Sequence, residues 1–200
     1  MLDRAAVEGL GLERVAAALA QGVDWVQLRE RALAGGALLA LARALREAAR
    51  RAGGAISLVL NRRADVALAA GADGVHLGFD GMAPRDARTL LGEAALVGVS
   101  CHSPAEVAAA LGASYAHLAP IFAPLSKPRE RAPLGPAALA DCAGRPVLAQ
   151  GGITAENAGA CLAAGAAGVA VTGAILQAAD PSAAAARLRR ALDAAAPRGV

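Results

Sequence analysis

The polar residues able to do chemistry in this sequence of 200 residues stand almost without exception just past short apolar runs. His102, in Ser100-Cys101-His102-Ser103, follows one such run. Imidazole titrates near neutrality, which makes His102 the candidate acid/base. Cys101 beside it is not read as a nucleophile partnered by that histidine, because adjacent residues of an extended segment point to opposite sides. His76 and His117 sit inside apolar runs and read as core or barrel-lining residues. Gly151-Gly152 ends one run and Val171-Thr172-Gly173 ends the next. Glycine lets the backbone approach an anion closely and a helix start favours negative charge, so these two turns are the candidate phosphate site. Lys127 is the single lysine beside 19 arginines and lies with Ser126 in the longest stretch lacking a helical pattern. Such stretches in a compact domain are often functional, which makes both candidate substrate contacts. Gln27, Arg29, Asn61 and Ser100 complete the candidate substrate-binding set.

A repeated rhythm has to position these groups. Four times a helical pattern ends in glycine and enters a short apolar strand, at Gly22, Gly71, Gly112 and Gly165. Three more strand patterns occupy residues 56–60, 96–99 and 146–149. Amphipathic helical patterns cover about 12–21 and then 34–51, 84–91, 104–111, 155–164 and 181–195, with Pro84, Pro104 and Pro181 at first turns. Continuous apolar strands alternating with helices predict a parallel sheet covered by helices. The spacing predicts a (β/α)8 TIM barrel spanning residues 1–200 as one domain. Its first strand is shortened or missing, since only Met1-Leu2-Asp3 is available for it. An open doubly wound sheet is the alternative, without a G-x-G-x-x-G to support it. In a barrel the C-terminal strand ends carry the chemistry, which is where the polar residues fall.

Composition excludes several classes. The chain is 56% hydrophobic, but 58 residues are alanine and only Trp25, Phe79, Tyr115 and Phe122 are aromatic. No apolar run approaches a membrane span, and the N-terminus does not read as a signal peptide, which predicts a soluble, cytoplasmic protein with no membrane partner. The net charge of +3 is dispersed and lacks aromatic residues for base stacking, which argues against nucleic acid. Three cysteines without C-x-x-C spacing indicate neither disulfides nor a metal site.

Together, Val26-Gln27-Leu28-Arg29-Glu30-Arg31, Leu60-Asn61-Arg62, the segment 71–78 ending in His76-Leu77-Gly78, Gly98-Val99-Ser100-Cys101-His102-Ser103, the segment 119–127 and Gln150-Gly151-Gly152-Ile153 resemble the thiamine-phosphate synthase superfamily. The resemblance runs from about residue 12 to residue 192. It implies a barrel that handles phosphorylated pyrimidine or thiazole precursors of thiamin. The superfamily has two catalytic kinds of member. The synthase joins a pyrimidine diphosphate to a thiazole phosphate and uses Mg²⁺ held by two aspartates, at positions that here carry Arg62 and Gly81, with Asp80 one position out of step. Neither residue ligates a hard cation. The resemblance is therefore closest to the thiazole tautomerase, which implies a cofactor-free proton shift. His102 is then the acid/base, Arg29 or Arg31 lies near the substrate carboxylate, and Gly152 and Thr172 hold the phosphate. The alternatives are the synthase, with Mg²⁺ required only in that case, and a non-catalytic thiazole-phosphate binder. The expected partner is the small-molecule thiazole phosphate, with homodimerisation left open.

Overall fold

Strand and helix alternate along the chain in the computed structural model, which describes residues 1–78, 80–123, 131–142 and 144–195. The strands are β1 (Trp25–Leu28), β2 (Ser57–Asn61), β3 (Gly74–Leu77), β4 (Leu96–Cys101), β5 (Tyr115–Leu118), β6 (Val147–Gln150) and β7 (Gly168–Ala170). They form one parallel sheet in which every strand pairs with its neighbour in sequence. The helices are α1 (Arg4–Leu10), α2 (Leu12–Leu19), α3 (Gly35–Arg51), α4 (Ala64–Ala70), α5 (Pro84–Leu91), α6 (Pro104–Ala109), α7 (Ala137–Ala140), α8 (Ala158–Ala163), α9 (Gly173–Leu176) and α10 (Pro181–Ala195).

The sheet curls into a barrel whose first strand is a stub, as the sequence spacing predicts. Leu2 makes a single parallel bridge to Leu28, with Leu2 N donating to Gln27 O at 2.8 Å and Arg29 N to Leu2 O at 2.7 Å. On the other side the Met1 nitrogen donates to Val171 O at 2.7 Å, just past β7. Two residues thus touch both margins of the sheet. Directly after them Asp3 caps α1, its side chain accepting from Ala6 N at 2.9 Å.

The strands look continuously apolar because helices cover their outer face. Val26, Leu28, Leu58 and Leu60 pack there with Val15, Leu38, Ala42 and Leu45 of α2 and α3. Val97, Val99, Leu118 and Val147 form a second cluster with Val107, Leu139 and Cys161 of α6, α7 and α8. Ala42, Ala48 and Ala49 are wholly buried in α3. A methyl side chain there lets the helix lie close to the sheet, which is how an alanine-rich sequence builds a core without aromatic residues.

Candidate active site

Side chains alternate across a strand, so the partners of the outward valines and leucines point into the barrel. That inner face is polar. His76 is 1% exposed and His117 4%. Their rings lie 4.3 Å apart, centroid to centroid. The Tyr115 hydroxyl is 3.2 Å from His76 Nδ1, and Ser100 Oγ is 2.9 Å from Nε2. His117 Nδ1 lies 3.0 Å from Gln150 Oε1, and Trp25 tilts onto Tyr115 at a centroid distance of 4.9 Å. Register explains the assembly. Gly98 pairs with His76 on one side and Tyr115 on the other. A Cβ at Gly98 would stand 2.6 Å from His76 Nδ1, so glycine leaves the passage through which the two rings meet.

Burial sets the protonation of this layer. It lowers the His76 pKa to about 4, and burial followed by repulsion from His76 holds His117 well below the ordinary histidine value. The Tyr115 hydroxyl is pushed upward by burial. At neutral pH the floor of the barrel is therefore an uncharged set of hydrogen-bonding groups. Gln27 belongs to it, 7% exposed, and its Nε2 has no hydrogen-bond partner among the described residues. Gln27, Trp25, Tyr115 and His117 line a cavity of about 700 Å³ that reaches Met1 and Val171 at the margin of the sheet.

The rim above this floor carries the other expected residues. Arg29 is half-buried and Arg31 exposed. Burial and then the charge of Arg31 lower the Arg29 pKa against the pull of Asp3, with Arg62 adding to the lowering, so three guanidinium groups and the Asp3 carboxylate share one side of the rim. Asn61 ends β2 and its Nδ2 lies 3.4 Å from His76 O. Gly151 and Gly152 take left-handed φ values of 93° and 61°. A Cβ at Gly151 would stand 2.8 Å from Pro120 Cα, and one at Gly152 2.8 Å from Phe122 Cβ. Conformation and space both require glycine here. Asn157 braces the turn, donating to Gly152 O at 2.9 Å and accepting from Thr154 N at 2.8 Å. Gln150 pairs with Ala170, so this turn leaves the sheet beside Val171, Thr172 and Gly173, which lead into α9. Ser126 and Lys127 lie outside the described residues.

His102 stands past β4, apart from the histidine pair. Its backbone N donates to Glu106 Oε2 at 2.8 Å, and its Nδ1 is 3.4 Å from the same oxygen. Ser103 caps α6 by accepting from Glu106 N at 3.2 Å, and the Glu106 carboxylate reaches back past the cap to His102 N, drawing His102 to the helix start. Cys101 is buried and its thiol pKa is pushed up to about 11, by burial first and then by Glu106, which keeps it a protonated core residue. Sequence reasoning missed the joint role of His76, Tyr115, His117 and Gln150. Inward parity within each strand was the signal available.

The sequence pattern of the thiamine monophosphate synthase family matches residues 2–175. The chain belongs to that family. A thiamine-phosphate synthase from Anaeromyxobacter dehalogenans is 46% identical over 187 residues, covering 89% of this chain and 81% of the relative. One from Methanoculleus marisnigri is 44% identical over 193 residues, covering 94% and 90%. The solved structure of thiamine phosphate pyrophosphorylase from Pyrococcus furiosus superposes with a TM-score of 0.81 at 28% identity, covering 94% of this chain and 93% of that one. These relatives overturn the expectation of a thiazole tautomerase. The similarity to synthases extends over nearly the whole chain, whereas the tautomerase reading rested on a few exchanged side chains. The acid/base role of His102 belongs to the isomerase reaction and falls with it.

The Mg²⁺ site that the resemblance to synthases implies does not fit the residues present. Arg62 forms an ion pair with Asp80, the carboxylate nearest the expected position. No group of three or more metal-ligating acidic, histidine or cysteine side chains occurs among the described residues. A guanidinium repels a divalent cation, and the remaining carboxylate is already engaged. Among the described residues no helix is long and apolar enough to cross a membrane.

Proposed function

We propose that this chain joins a pyrimidine-methyl diphosphate to a thiazole phosphate, producing thiamin phosphate and diphosphate. Its similarity to synthases along nearly the whole barrel carries the reading, and the polar floor beneath a cationic rim supports it. In the reaction the bond between the pyrimidine methylene carbon and the diphosphate oxygen breaks, and its electron pair leaves with diphosphate. The thiazole nitrogen lone pair forms the new C–N bond, leaving a thiazolium.

Each part of the site has a task in that chemistry. Gln27, Tyr115 and His117 line the cavity as neutral groups that offer hydrogen bonds to a heteroaromatic ring, while His76, both ring nitrogens engaged, holds the Tyr115 hydroxyl. Burial excludes water, which protects the electron-poor methylene carbon from hydrolysis. Arg29 and Arg31 attract the diphosphate and stabilise the charge it gains as the C–O bond breaks. The turns at Gly151-Gly152 and Thr172-Gly173 hold the thiazole phosphate through backbone N–H groups. Asn61 and Ser100 position His76 between them. Holding both substrates in line turns a bimolecular reaction into a local one.

The test is a coupling assay with the purified chain and both phosphorylated precursors, following thiamin phosphate by chromatography in the presence and absence of Mg²⁺. Formation of thiamin phosphate with stoichiometric diphosphate is expected. Absence of product under both conditions overturns the reading.

A further inference from the structure

The exchange of a metal carboxylate for Arg62 gives the site a fixed cation of its own. We infer that Arg62 takes over the charge-neutralising work at this rim, binding diphosphate directly and without a divalent metal. The inference rests on the coupling reading for its physiological ligand but concerns a separate property, metal-independent recognition of a diphosphate.

The geometry around Arg62 is built rather than incidental. Arg62 has a φ of 64° and is the only non-glycine residue with positive φ among the described residues. That conformation is uncommon for any residue with a Cβ and persists where neighbouring structure holds it. Here Arg62 N donates to His76 O at 2.8 Å, tying the turn after β2 to the end of β3. The guanidinium then lies across Gly78. A Cβ at Gly78 would stand 2.7 Å from Arg62 Nη2 and 2.9 Å from Arg62 Nε. The same Cβ would meet Asp80 Oδ1 at 2.9 Å, and Gly81 N donates to Gly78 O at 3.0 Å in the turn that carries Asp80 back to Arg62. Gly78 is thus a berth for the ion pair, and Asp80 is a positioning residue that keeps the guanidinium over it.

The surroundings leave that cation useful to an anion. The Arg62 and Asp80 side chains are 37% and 51% exposed, so the pair stands at the mouth and not in the core. Arg29 follows β1 beside the end of β2 that Arg62 follows, close enough for the charges of Arg62 and Arg31 to act on it. Glu30, the acid between them in sequence, turns elsewhere, its oxygens accepting from Ala32 N at 2.9 Å and Arg4 N at 3.1 Å. Asp3, whose charge also acts on Arg29, is held as the α1 cap by Ala6 N at 2.9 Å, so three cations face two engaged carboxylates, Asp3 and Asp80. A planar guanidinium matches two phosphate oxygens at once and stays protonated, so no proton has to move as diphosphate departs.

The experiment is titration calorimetry with inorganic diphosphate, in EDTA and then in excess Mg²⁺. Wild type is expected to bind in EDTA. Arg62→Gln should weaken that binding by about tenfold to a hundredfold, the range for a charge-assisted hydrogen bond. Arg62→Lys should recover part of it, and thermal melts establish that both variants are folded. Diphosphate binding that requires Mg²⁺, no binding in either buffer, or unchanged binding by Arg62→Gln in EDTA would each overturn the inference. The coupling assay keeps the two readings apart. Strictly Mg²⁺-dependent product formation, unaffected by Arg62→Gln, sinks this inference and leaves the synthase reading standing. Metal-free diphosphate binding through Arg62 in a chain that makes no thiamin phosphate does the reverse.

Discussion

Acidification should unfold this barrel through its histidine floor, and His76→Gln isolates the contribution of one ring. The folded state holds the His76 pKa at about 4, below the ordinary histidine value of 6.5, because the ring is buried. Above pH 6.5 the ring is neutral in both states and contributes nothing to the pH dependence. Between 6.5 and about 4 the unfolded chain binds a proton that the folded chain refuses, so stability falls as pH falls. The slope is about 1.4 kcal/mol per pH unit, and the whole window amounts to about 3 kcal/mol for a ring that is 1% exposed. His117 acts with the same sign. Urea unfolding at pH 7, 6 and 5 measures the slope. His76→Gln also loses contacts with Tyr115 and Ser100, which should lower stability at pH 7 by about 1–3 kcal/mol. That loss is an offset and does not enter the slope. The variant should lose one proton's worth of pH dependence. An unchanged slope in His76→Gln, or a wild type that gains stability on acidification to pH 5, refutes the argument.

Two further substitutions test other layers. Gly152→Ala forces a Cβ into a left-handed residue and against Phe122; it should cost about 1–3 kcal/mol and raise KM for the thiazole phosphate more than for the pyrimidine diphosphate, read by urea melts and steady-state kinetics. Leu45→Ala, in the wholly buried face of α3, should cost about 2–5 kcal/mol with kcat unchanged in the protein that remains folded.

The alternation of strand and helix was legible because its signals are local. Pro84 and Pro181 begin α5 and α10 where a first-turn proline predicts, and the stub at Leu2 follows from counting residues before the first helix. Two short helices escaped notice, since α1 and α7 have seven and four residues and too few turns to display a period. The polar floor was hidden for a different reason. With both faces of a strand covered, Val75-His76-Leu77 reads as an apolar run with one exception. Only register places His76 beside Gly98 and Gly98 beside Tyr115. The exchange at Arg62 was legible, but its meaning depended on Asp80, brought back by a turn that sequence spacing does not reveal. Weighting that exchange above the similarity of the whole barrel led to the isomerase expectation. A lost metal ligand removes one way of neutralising charge, and the reaction can persist if another cation supplies it.

The stub at the seam has a consequence for how the chain finds its fold. Each of the six strand ladders joins neighbours in sequence, such as Trp25 with Ser57 or Gly98 with Tyr115. Folding can therefore advance strand by strand through short loops, a topology that favours speed. The seam is the exception, for it brings Met1 to Val171 across a separation of 170 residues. Closing a loop that long costs roughly 2 kcal/mol more than closing one of about 25 residues, offset by the bond at Val171, the contact of Gln150 with the Met1 sulfur and the Arg189–Asp24 ion pair at 3.1 Å. The curled sheet can thus be complete before its ends meet. Outside that margin α10 packs on α2, so Gln27 and the cavity behind it are closed off from the side by helices where a full first strand is lacking.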